Sequence, residues 1–530
     1  MRIVVNSSPI SSNKRDWNKL SETQTRAVSS KMVTYRNMTK SSCLIIHELS
    51  IAQLDSWYSY GRESAPLIPR SFVYPSAKEC YPPCQWVLQY KGERIIDEWI
   101  LRQETVEKSK KYYAHFDVRT DMKKAANLVT DEEWVSHHGF YPLIHYKKDC
   151  SKYSSKGRKQ KERDICYAAH LDRCILQYYC HVMNERYNSR IRDLGFEDVP
   201  VAYRSDLGKN NIHLAKQAFD FIKANPNAYV MIGDFTGFFD NLDHQYLKRQ
   251  WCSLLGVRQL PPDYYTVFKN ITRYSTWELE DLLELNGLPA TSAGRKKLNS
   301  QKTVLTKEQY KRYRSHIKKH TDPFGIPQGS PISALLANVY MMDVDRKIKD
   351  ITDQCAGLYM RYSDDFMVVL PLNEAAARTA IFSINQIIES TPGLMLEPQK
   401  TQIYKTDLPY IKNIGETFLE NADGSKRVIN FLGFTFDGTT TTLRAKTVSK
   451  YYYRMYRKAH TIAENPDQKG KDHLYKRYSE RGARTSGKDS GNFFTYVQRA
   501  ERIFGDTEEI RKPVKRHMAK IKRALKKPHN

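Results

Sequence analysis

Long apolar stretches are missing from this 530-residue chain, which has no run of about 18 apolar residues that could span a bilayer. Its first residues, MRIVVNSSPISSNKRDW, contain no apolar core of the kind found in export signals. We therefore expect a protein without a membrane partner, located in a cytoplasm.

Cysteine is scarce and scattered, with nine residues in the whole chain. An odd number without an export signal is typical of reduced thiols in a cytosol. Cys80 and Cys84, in CYPPC, form the one close pair, and no second Cys/His pair follows at zinc-finger spacing. The sequence therefore favours a protein without a structural zinc site.

Acidic residues are in the minority, and the formal net charge is +26. A charge this large favours a polyanionic partner, and nucleic acid is the first candidate. Residues 441–530 alone carry a net charge of +15, from 24 Lys and Arg against 9 Asp and Glu. The basic surface is therefore predicted to be concentrated at the C-terminal end.

The basic segment RKPVKRHMAKIKRALKK has one apolar face, because Val514, Met518, Ile521 and Leu525 recur at helical spacing. A solvated surface helix is one interpretation. At this charge density we favour a helix that contacts phosphates. The predicted contact residues are Lys515, Arg516, Lys522 and Arg523. Two further stretches, 286–301 and 481–491, are rich in small and basic residues and are predicted to be flexible loops.

The stretch LYMRYSDDFMVVLP (358–371) places two adjacent carboxylates between β-prone apolar runs. Its pattern predicts a β-hairpin with Asp364 and Asp365 at the reversal. A solvated turn is the ordinary interpretation of an Asp-Asp pair. The alternative is a site for a hard divalent cation, since Mg²⁺ prefers oxygen ligands and is often shared with substrate phosphates. That alternative requires a third carboxylate.

A third carboxylate follows the apolar run in YVMIGDFTGFFDNLDH (229–244), which predicts a buried strand ending at Asp234. Gly233 and Gly237 leave room for close backbone approach. Asp240 and Asp243 are predicted to cap the next helix.

Between these acidic stretches lies FGIPQGSPISALLANVYMMDVDRKI (324–348). Its Pro and Gly residues predict a constrained turn, followed by a helix that opens with small residues. Such a turn offers a surface that a planar molecule can approach, and a helix N-terminus suits phosphate.

Five segments in this order resemble the palm motifs of reverse transcriptases: DFTGFFD, GIPQGSPISALLANVYM, RYSDDF, LEPQKTQIY and FLGFTFDG. Residues 199–223 resemble the fingers segment of that family. The resemblance implies an α+β right-hand polymerase: fingers, a palm with a small antiparallel sheet, and a helical thumb. It divides the chain into an N-terminal extension (1–160, RNA-binding or oligomerisation), fingers and palm (161–440), and a basic helical thumb and C-terminal region (441–530).

The resemblance implies RNA-directed DNA polymerase activity by two-metal-ion phosphoryl transfer. Asp234, Asp364 and Asp365 would bind two Mg²⁺ ions, with Mn²⁺ as the alternative metal. Lys400 would protonate the pyrophosphate leaving group, although a solvated surface lysine is the other interpretation.

Other roles also follow from the resemblance. Phe239, five residues after the first metal ligand, would block the ribose 2′-hydroxyl and so select dNTPs. Arg204 and Lys209 would bind the triphosphate. The remaining substrate contacts would come from Gln328, Gly329, Ser330, Tyr362 and Ser363, and the primer grip from Phe431, Leu432 and Gly433.

Residues 163–188 and 203–223 are most similar to abortive-infection and other defence-associated bacterial reverse transcriptases. That subgroup implies antiphage defence, with a dedicated non-coding RNA or template-independent synthesis, a DNA product and a homo-oligomer. It also implies that a tyrosine of the protein could prime synthesis, with Tyr451, Tyr452, Tyr453 and Tyr496 as candidates. Two alternatives stay open: a group II intron-type reverse transcriptase and maturase, and a non-catalytic RNA-binding protein on a polymerase fold.

Overall fold

The computed structural model describes residues 98–150, 152–154, 157–160, 162–422, 424–464, 470–485, 491–505 and 507–526. These residues belong to one compact unit, Glu93–Asn530. Cys80, Cys84 and most of the predicted N-terminal extension (1–160) lie outside the described residues. The three predicted domain ranges stay a prediction.

Helices and strands alternate along the described chain, and the predicted α+β class is confirmed. The strands are β1 (Leu143–Asp149), β2 (Lys152–Ser154), β3 (Gly157–Lys159), β4 (Glu162–Tyr167), β5 (Tyr229–Asp234), β6 (Ser275–Glu278), β7 (Lys318–Lys319), β8 (Leu358–Tyr362), β9 (Asp365–Leu370), β10 (Gln402–Asp407), β11 (Tyr410–Asn413), β12 (Ile429–Phe431), β13 (Phe434–Phe436) and β14 (Thr441–Leu443). The helices are α1 (Glu98–Leu101), α2 (Gln103–Ser109), α3 (Met122–Val129), α4 (Glu132–His137), α5 (His170–Asp193), α6 (Asn211–Ala224), α7 (His244–Leu255), α8 (Pro262–Thr272), α9 (Leu279–Leu285), α10 (Ser292–Asn299), α11 (Lys307–Arg312), α12 (Ser333–Tyr340), α13 (Met342–Asp353), α14 (Glu374–Glu389), α15 (Ala445–Glu464), α16 (Lys471–Tyr478), α17 (Glu480–Thr485), α18 (Phe493–Ile503), α19 (Glu508–Arg511) and α20 (His517–Lys526).

A five-stranded antiparallel sheet, the central sheet, has the order β11-β10-β5-β9-β8. Its middle strands are apolar on both faces because each face is covered by a separate core. Met231 and Val368 belong to one core, which also contains apolar residues of α5 and α12. Val230 and Met367 point to the other, which contains residues of α6, α15 and α20. Continuous apolar runs are expected when both faces of a sheet are buried.

A second sheet, the four-stranded sheet, has the order β4-β1-β6-β7. Strands β1 and β4 form an antiparallel pair, whereas β6 runs parallel to β1 and is followed along the edge by β7. The segment between β6 and β7 contains α9, α10 and α11. The predicted loop at 286–301 was therefore wrong over Ser292–Asn299, where Thr291 caps α10 by accepting from Gly294 N.

The C-terminal helices α15 to α20 form a compact group beside a small sheet, β12-β13-β14. The apolar face predicted for the basic segment does point inward, because Val514 and Ile521 are buried in the core shared with α15. The loop predicted at 481–491 was wrong over its first residues, since α17 continues to Thr485. Within the described ranges, no helix is both long and apolar enough to cross a membrane.

Candidate active site

The predicted hairpin is present at one end of the central sheet. Strands β8 and β9 pair up to Tyr362 and Asp365, which leaves Ser363 and Asp364 as a two-residue loop. Ser363 has φ 63°, as the tight turns that join two adjacent strands require. Arg361, fully buried below the loop, donates to Ser363 O at 3.1 Å and so supports its shape.

The neighbouring strand brings the third carboxylate to the same end of the sheet. Asp234 is the last residue of β5 and lies directly opposite Asp365 in the antiparallel pairing. Gly233, one residue earlier, leaves space for the Phe366 ring, which a Cβ at that position would overlap. The sequence pattern therefore produces three carboxylates at adjoining strand ends.

These carboxylates repel one another. Desolvation by the surrounding walls, followed by the charges of Asp364 and Asp234, raises the pKa of Asp365 to about 7. The nearby Arg444 opposes this rise only in part. The cluster thus has an excess of negative charge, which a further cation would relieve.

Lys400 supplies part of the missing positive charge. Its Nζ lies 2.5 Å from Asp234 Oδ1, although the two residues are far apart in sequence. Partial burial opposes protonation, but the hydrogen bond and charge of Asp234 raise the pKa of Lys400 above its ordinary value. In this structure the Lys400 ammonium group therefore occupies one oxygen of Asp234, a candidate metal ligand.

An open cavity of about 660 Å³ lies in front of the three carboxylates. Phe239 and Gln328 line it together with Ser363, Phe431 and Leu432. The predicted helix cap at Asp243 is present, since its carboxylate accepts from Tyr246 N. Asp240 does not cap that helix; it accepts from Gln328 Nε2 at 3.3 Å.

The turn that carries Gln328, Gly329 and Ser330 is joined to the four-stranded sheet. Cys166 N of β4 donates to Gln328 O at 2.8 Å. Gly329 has φ 110°, and a Cβ there would lie 2.4 Å from Cys166 O, so only glycine fits. Ser330 is buried behind the turn, away from the cavity lining.

Two predicted triphosphate ligands do not reach the cavity. The Arg204 guanidinium is buried and already binds Asp206 Oδ2, at 2.5 Å, and Glu197 O, at 2.7 Å. Lys209 is exposed and donates to Gln217 on α6. Tyr203, beside Arg204, does line the cavity, and its hydroxyl lies 2.9 Å from Ser363 Oγ. Tyr362 lies at the end of β8 but is not part of the cavity lining.

The sequence interpretation missed a group of basic residues that line the same cavity: Arg163, Lys426, Arg444 and Lys446. Arg163 lies in the exposed half of β4, and its sequence neighbours are charged as in an ordinary solvent-exposed hairpin. The signal available in the sequence was the alternation of charges in KERD (161–164) before a buried Cys166. Nothing in that pattern identifies the cavity that this strand faces.

The predicted primer grip forms a second tight hairpin beside the cavity. Phe431 and Phe434 pair across Leu432 and Gly433, both of which have positive φ. Asn211 Nδ2 donates to Leu432 O at 2.9 Å and to Tyr496 Oη at 3.0 Å. The structure therefore brings Tyr496 close to the cavity edge.

The other tyrosine candidates lie elsewhere. The hydroxyls of Tyr451 and Tyr452 donate to Tyr478 O and Pro513 O among the C-terminal helices. Tyr453 is exposed on the same helix. None of these three lines the cavity.

The predicted basic contact residues Lys515, Arg516, Lys522 and Arg523 are exposed on and just before α20. Lys515 forms an ion pair with Glu508. A second cavity, of about 530 Å³, lies between α15 and α16 and is also basic. Its positively charged lining residues are Lys450, Arg454, Lys476 and Arg477.

The donor set fits a divalent metal, because three carboxylates with surplus negative charge supply hard oxygen ligands. The side chains are not arranged around a common point, and the described part of the chain contains no preformed group of three or more metal-ligating residues. Asp234 instead holds Lys400. Release of Lys400 would free that carboxylate for an ion.

The cavity combines three carboxylates with a cationic rim, an arrangement with the chemistry to bind a phosphorylated substrate. Residues 169–436, half of the chain, match the family model described as reverse transcriptase (RNA-dependent DNA polymerase). The chain therefore belongs to the reverse transcriptase family, whose polymerases generally use divalent metals. The sequence matches no curated protein.

Among solved structures, the chain is similar to apo telomerase from Candida tropicalis lacking its C-terminal domain, with 14% identity and a TM-score of 0.35. The match covers 62% of this chain and 61% of that one. Telomerase from Candida albicans with a TWJ fragment of telomeric RNA also matches, with 14% identity and a TM-score of 0.35, over 77% of this chain and 58% of that one. The chain thus spans about 60% of the length of these two structures.

Proposed function

We propose that the protein is an RNA-directed DNA polymerase that adds dNTPs to a growing strand. The observation that carries this proposal is the meeting of Asp234, Asp364 and Asp365 at one end of the central sheet, facing a cavity lined by Phe239 and Gln328. In this proposal the central sheet is the palm. The four-stranded sheet forms part of the fingers, and α15 to α20 form the thumb.

Two Mg²⁺ ions, or Mn²⁺ in their place, would supply activation of the attacking hydroxyl and neutralisation of the leaving group. Asp234, Asp364 and Asp365 would hold them. Lys400 lies within reach of the same carboxylates and would deliver a proton to the pyrophosphate. Arg163 replaces Arg204 and Lys209 as the proposed triphosphate ligand, because it lines the cavity.

Sugar selection is assigned to Phe239. The half-buried ring lines the cavity five residues after Asp234, and the ring of buried Phe238 lies edge-on to it at 5.5 Å. A ring fixed in this way can exclude a 2′-hydroxyl by its volume. Gln328, whose amide is held by Asp240, would contact the incoming base or sugar.

The decisive experiment is Asp364→Asn combined with Asp365→Asn. We expect at least about a thousandfold loss of dNTP incorporation on a primed RNA template, because both ligands of the hairpin are removed. Asp206→Asn is the matched control, since this carboxylate pairs with Arg204 outside the cavity. Mg²⁺-dependent polymerisation by the double variant at the unaltered rate would refute the function.

We further propose that this activity serves antiphage defence in a bacterial cytoplasm, with a dedicated non-coding RNA or without a template. The support is the similarity of residues 163–188 and 203–223 to defence-associated enzymes, together with the net charge of +26. Sequencing the nucleic acid that purifies with the protein tests this role. Recovery of one discrete non-coding RNA would support it, whereas an intron RNA would identify a maturase instead.

A further inference from the structure

A ladder of ionisable side chains crosses the whole four-stranded sheet on one face. Asp164 of β4 contacts His145 of β1, which contacts Glu278 of β6. Lys318 of β7 completes the row, with its Nζ 3.2 Å from Glu278 Oε1. One residue from each strand therefore takes part, in the spatial order of the strands.

His145 is the central member, and both of its ring nitrogens face carboxylates. Nδ1 lies 2.6 Å from Glu278 Oε2, and Nε2 lies 3.0 Å from Asp164 Oδ1. A carboxylate only accepts hydrogen bonds, so both contacts are satisfied together only when both nitrogens carry protons. Although partial burial opposes it, donation from His145 and Lys318 holds the pKa of Glu278 below its ordinary value.

The ladder adjoins the nucleotide cavity. All four members line a third cavity, of about 330 Å³, whose lining shares Asp164 and Gln328 with the cavity in front of the aspartates. Asp164 is the direct neighbour of Arg163, the proposed triphosphate ligand. A shift in this part of β4 therefore moves Arg163 as well.

Strand β4 needs such support because it is an edge strand whose outer half, Glu162 to Asp164, is exposed. Its inner half is held twice, by β1 and by the bond from Cys166 N to Gln328 O. The outer half pairs with β1 alone. Exposed edge segments with few contacts open most readily.

We propose that His145 is a positioning residue for nucleotide binding: by holding Asp164 and Glu278 at once, it fixes the outer half of β4 and thereby places Arg163 at the nucleotide cavity. The inference rests on the proposed function for the role of Arg163. The proposal also assigns a supporting role to the segment between β5 and Gln328, because Glu278 belongs to that segment.

The first test measures how often the outer half of β4 opens, and it requires no activity assay. Hydrogen exchange of residues 162–167 should be at least about fivefold faster in His145→Ala than in the unaltered protein. His316→Ala is the matched control, because His316 pairs with Asp281 in the same part of the fold and lines neither cavity. Should His145→Ala fail to fold, Glu278→Gln replaces it, because this variant removes one of the two carboxylates that contact the His145 ring.

The second test is a double-variant cycle with Arg163→Ala, read as KM for the dNTP. His145→Ala should raise KM about three- to tenfold with kcat within about twofold, and should add nothing further in the Arg163→Ala background. An equal rise in both backgrounds would show that His145 does not act through Arg163. Exchange in residues 162–167 no faster than in the His316 control would also overturn the proposal. If the unaltered protein and all variants lacked activity, the polymerase function would be refuted. The exchange result would still decide whether His145 restrains β4.

Discussion

At the scale of single residues, Phe239 is the side chain proposed to decide which sugar enters the cavity. It lines the cavity, and the neighbouring Phe238 is almost fully buried. In the proposed function, the volume of this side chain sets the space beside the ribose.

We expect Phe239→Ala to lower the ratio of kcat/KM for dNTP over NTP by at least about tenfold, because the block to the 2′-hydroxyl is removed. Phe239→Tyr keeps the ring and should keep the ratio. Single-nucleotide incorporation kinetics measure both. An unchanged ratio in the alanine variant would leave Phe239 with a packing role alone.

The residues that could be predicted from the sequence were those whose role depends on local pattern. Asp364 and Asp365 sit at a hairpin loop that strand propensity alone predicts, and Asp234 ends a buried strand. Arg204 was misplaced because an acid two residues later, Asp206, captures its guanidinium. Arg163 was missed because the cavity it lines is formed by segments distant in sequence.

At the scale of elements, the hairpin β8–β9 stands on a buried ion pair. Arg361 and Asp345 are both fully inaccessible to solvent, with contacts of 2.6 and 2.8 Å. Arg361 also donates to Asn338 and to Ser363 O, so the pair links α12 and α13 to the Ser363–Asp364 loop.

Arg361→Met should destabilise the protein by about 3–5 kcal/mol, because it leaves the Asp345 carboxylate buried and unpaired. Arg361→Met combined with Asp345→Leu should recover much of this loss, since no lone charge then remains. Thermal unfolding midpoints of the three proteins make the comparison. A double variant no more stable than the single one would argue against the unpaired charge as the cause.

The predicted phosphate contact can be tested at α20 and the two basic residues just before it. Neutralising Lys515, Arg516, Lys522 and Arg523 to Gln should weaken RNA binding and reduce the log–log salt slope by about 0.7–0.9 for each phosphate that is no longer bound. The matched control neutralises four exposed basic residues on and beside α11: Lys307, Lys311, Arg312 and Arg314. Binding titrations at several salt concentrations give the slopes. Equal reductions in both variants would mean a general charge effect.

Elements were predicted well where a periodic apolar pattern runs over many residues. They were predicted poorly where a short strand depends on pairing with a strand that is distant in sequence. The apolar face of the basic segment 511–527 was found from its spacing, and Val514 and Ile521, before and within α20, are buried. Strands β6 and β7 were not predicted, because they have only four and two residues and depend on pairing with β1. Gly294 suggested a loop, but it lies within α10, where a Cβ would collide with Pro289 O.

At the scale of the whole molecule, the C-terminal helices come back to the end of the central sheet that carries the three aspartates. Asn211 of α6 joins Tyr496 of α18 to Leu432 of the β12–β13 turn. Burial raises the pKa of the Tyr496 hydroxyl, so a general base would have to activate it as a nucleophile.

Of the four tyrosines, Tyr496 is therefore the one expected to prime synthesis, if the protein itself does so. Labelled dNTPs should then remain on the denatured, RNase-treated protein, and this label should disappear in Tyr496→Phe. Tyr451→Phe and Tyr452→Phe are the controls, because their hydroxyls bind backbone carbonyls among the C-terminal helices. Release of all label as free DNA, or with RNA, would show that the primer is a nucleic acid.

The contact between Lys400 and Asp234 brings the two proposed roles of these residues into competition for one oxygen atom. Asp234 Oδ1 accepts from the ammonium group at 2.5 Å, so a metal ion that binds this oxygen would meet the positive charge of the lysine. In the proposed mechanism, metal binding at Asp234 and release of Lys400 would therefore be linked equilibria. Lys400, the proposed proton donor, would then stay bound to Asp234 until a metal ion takes its place.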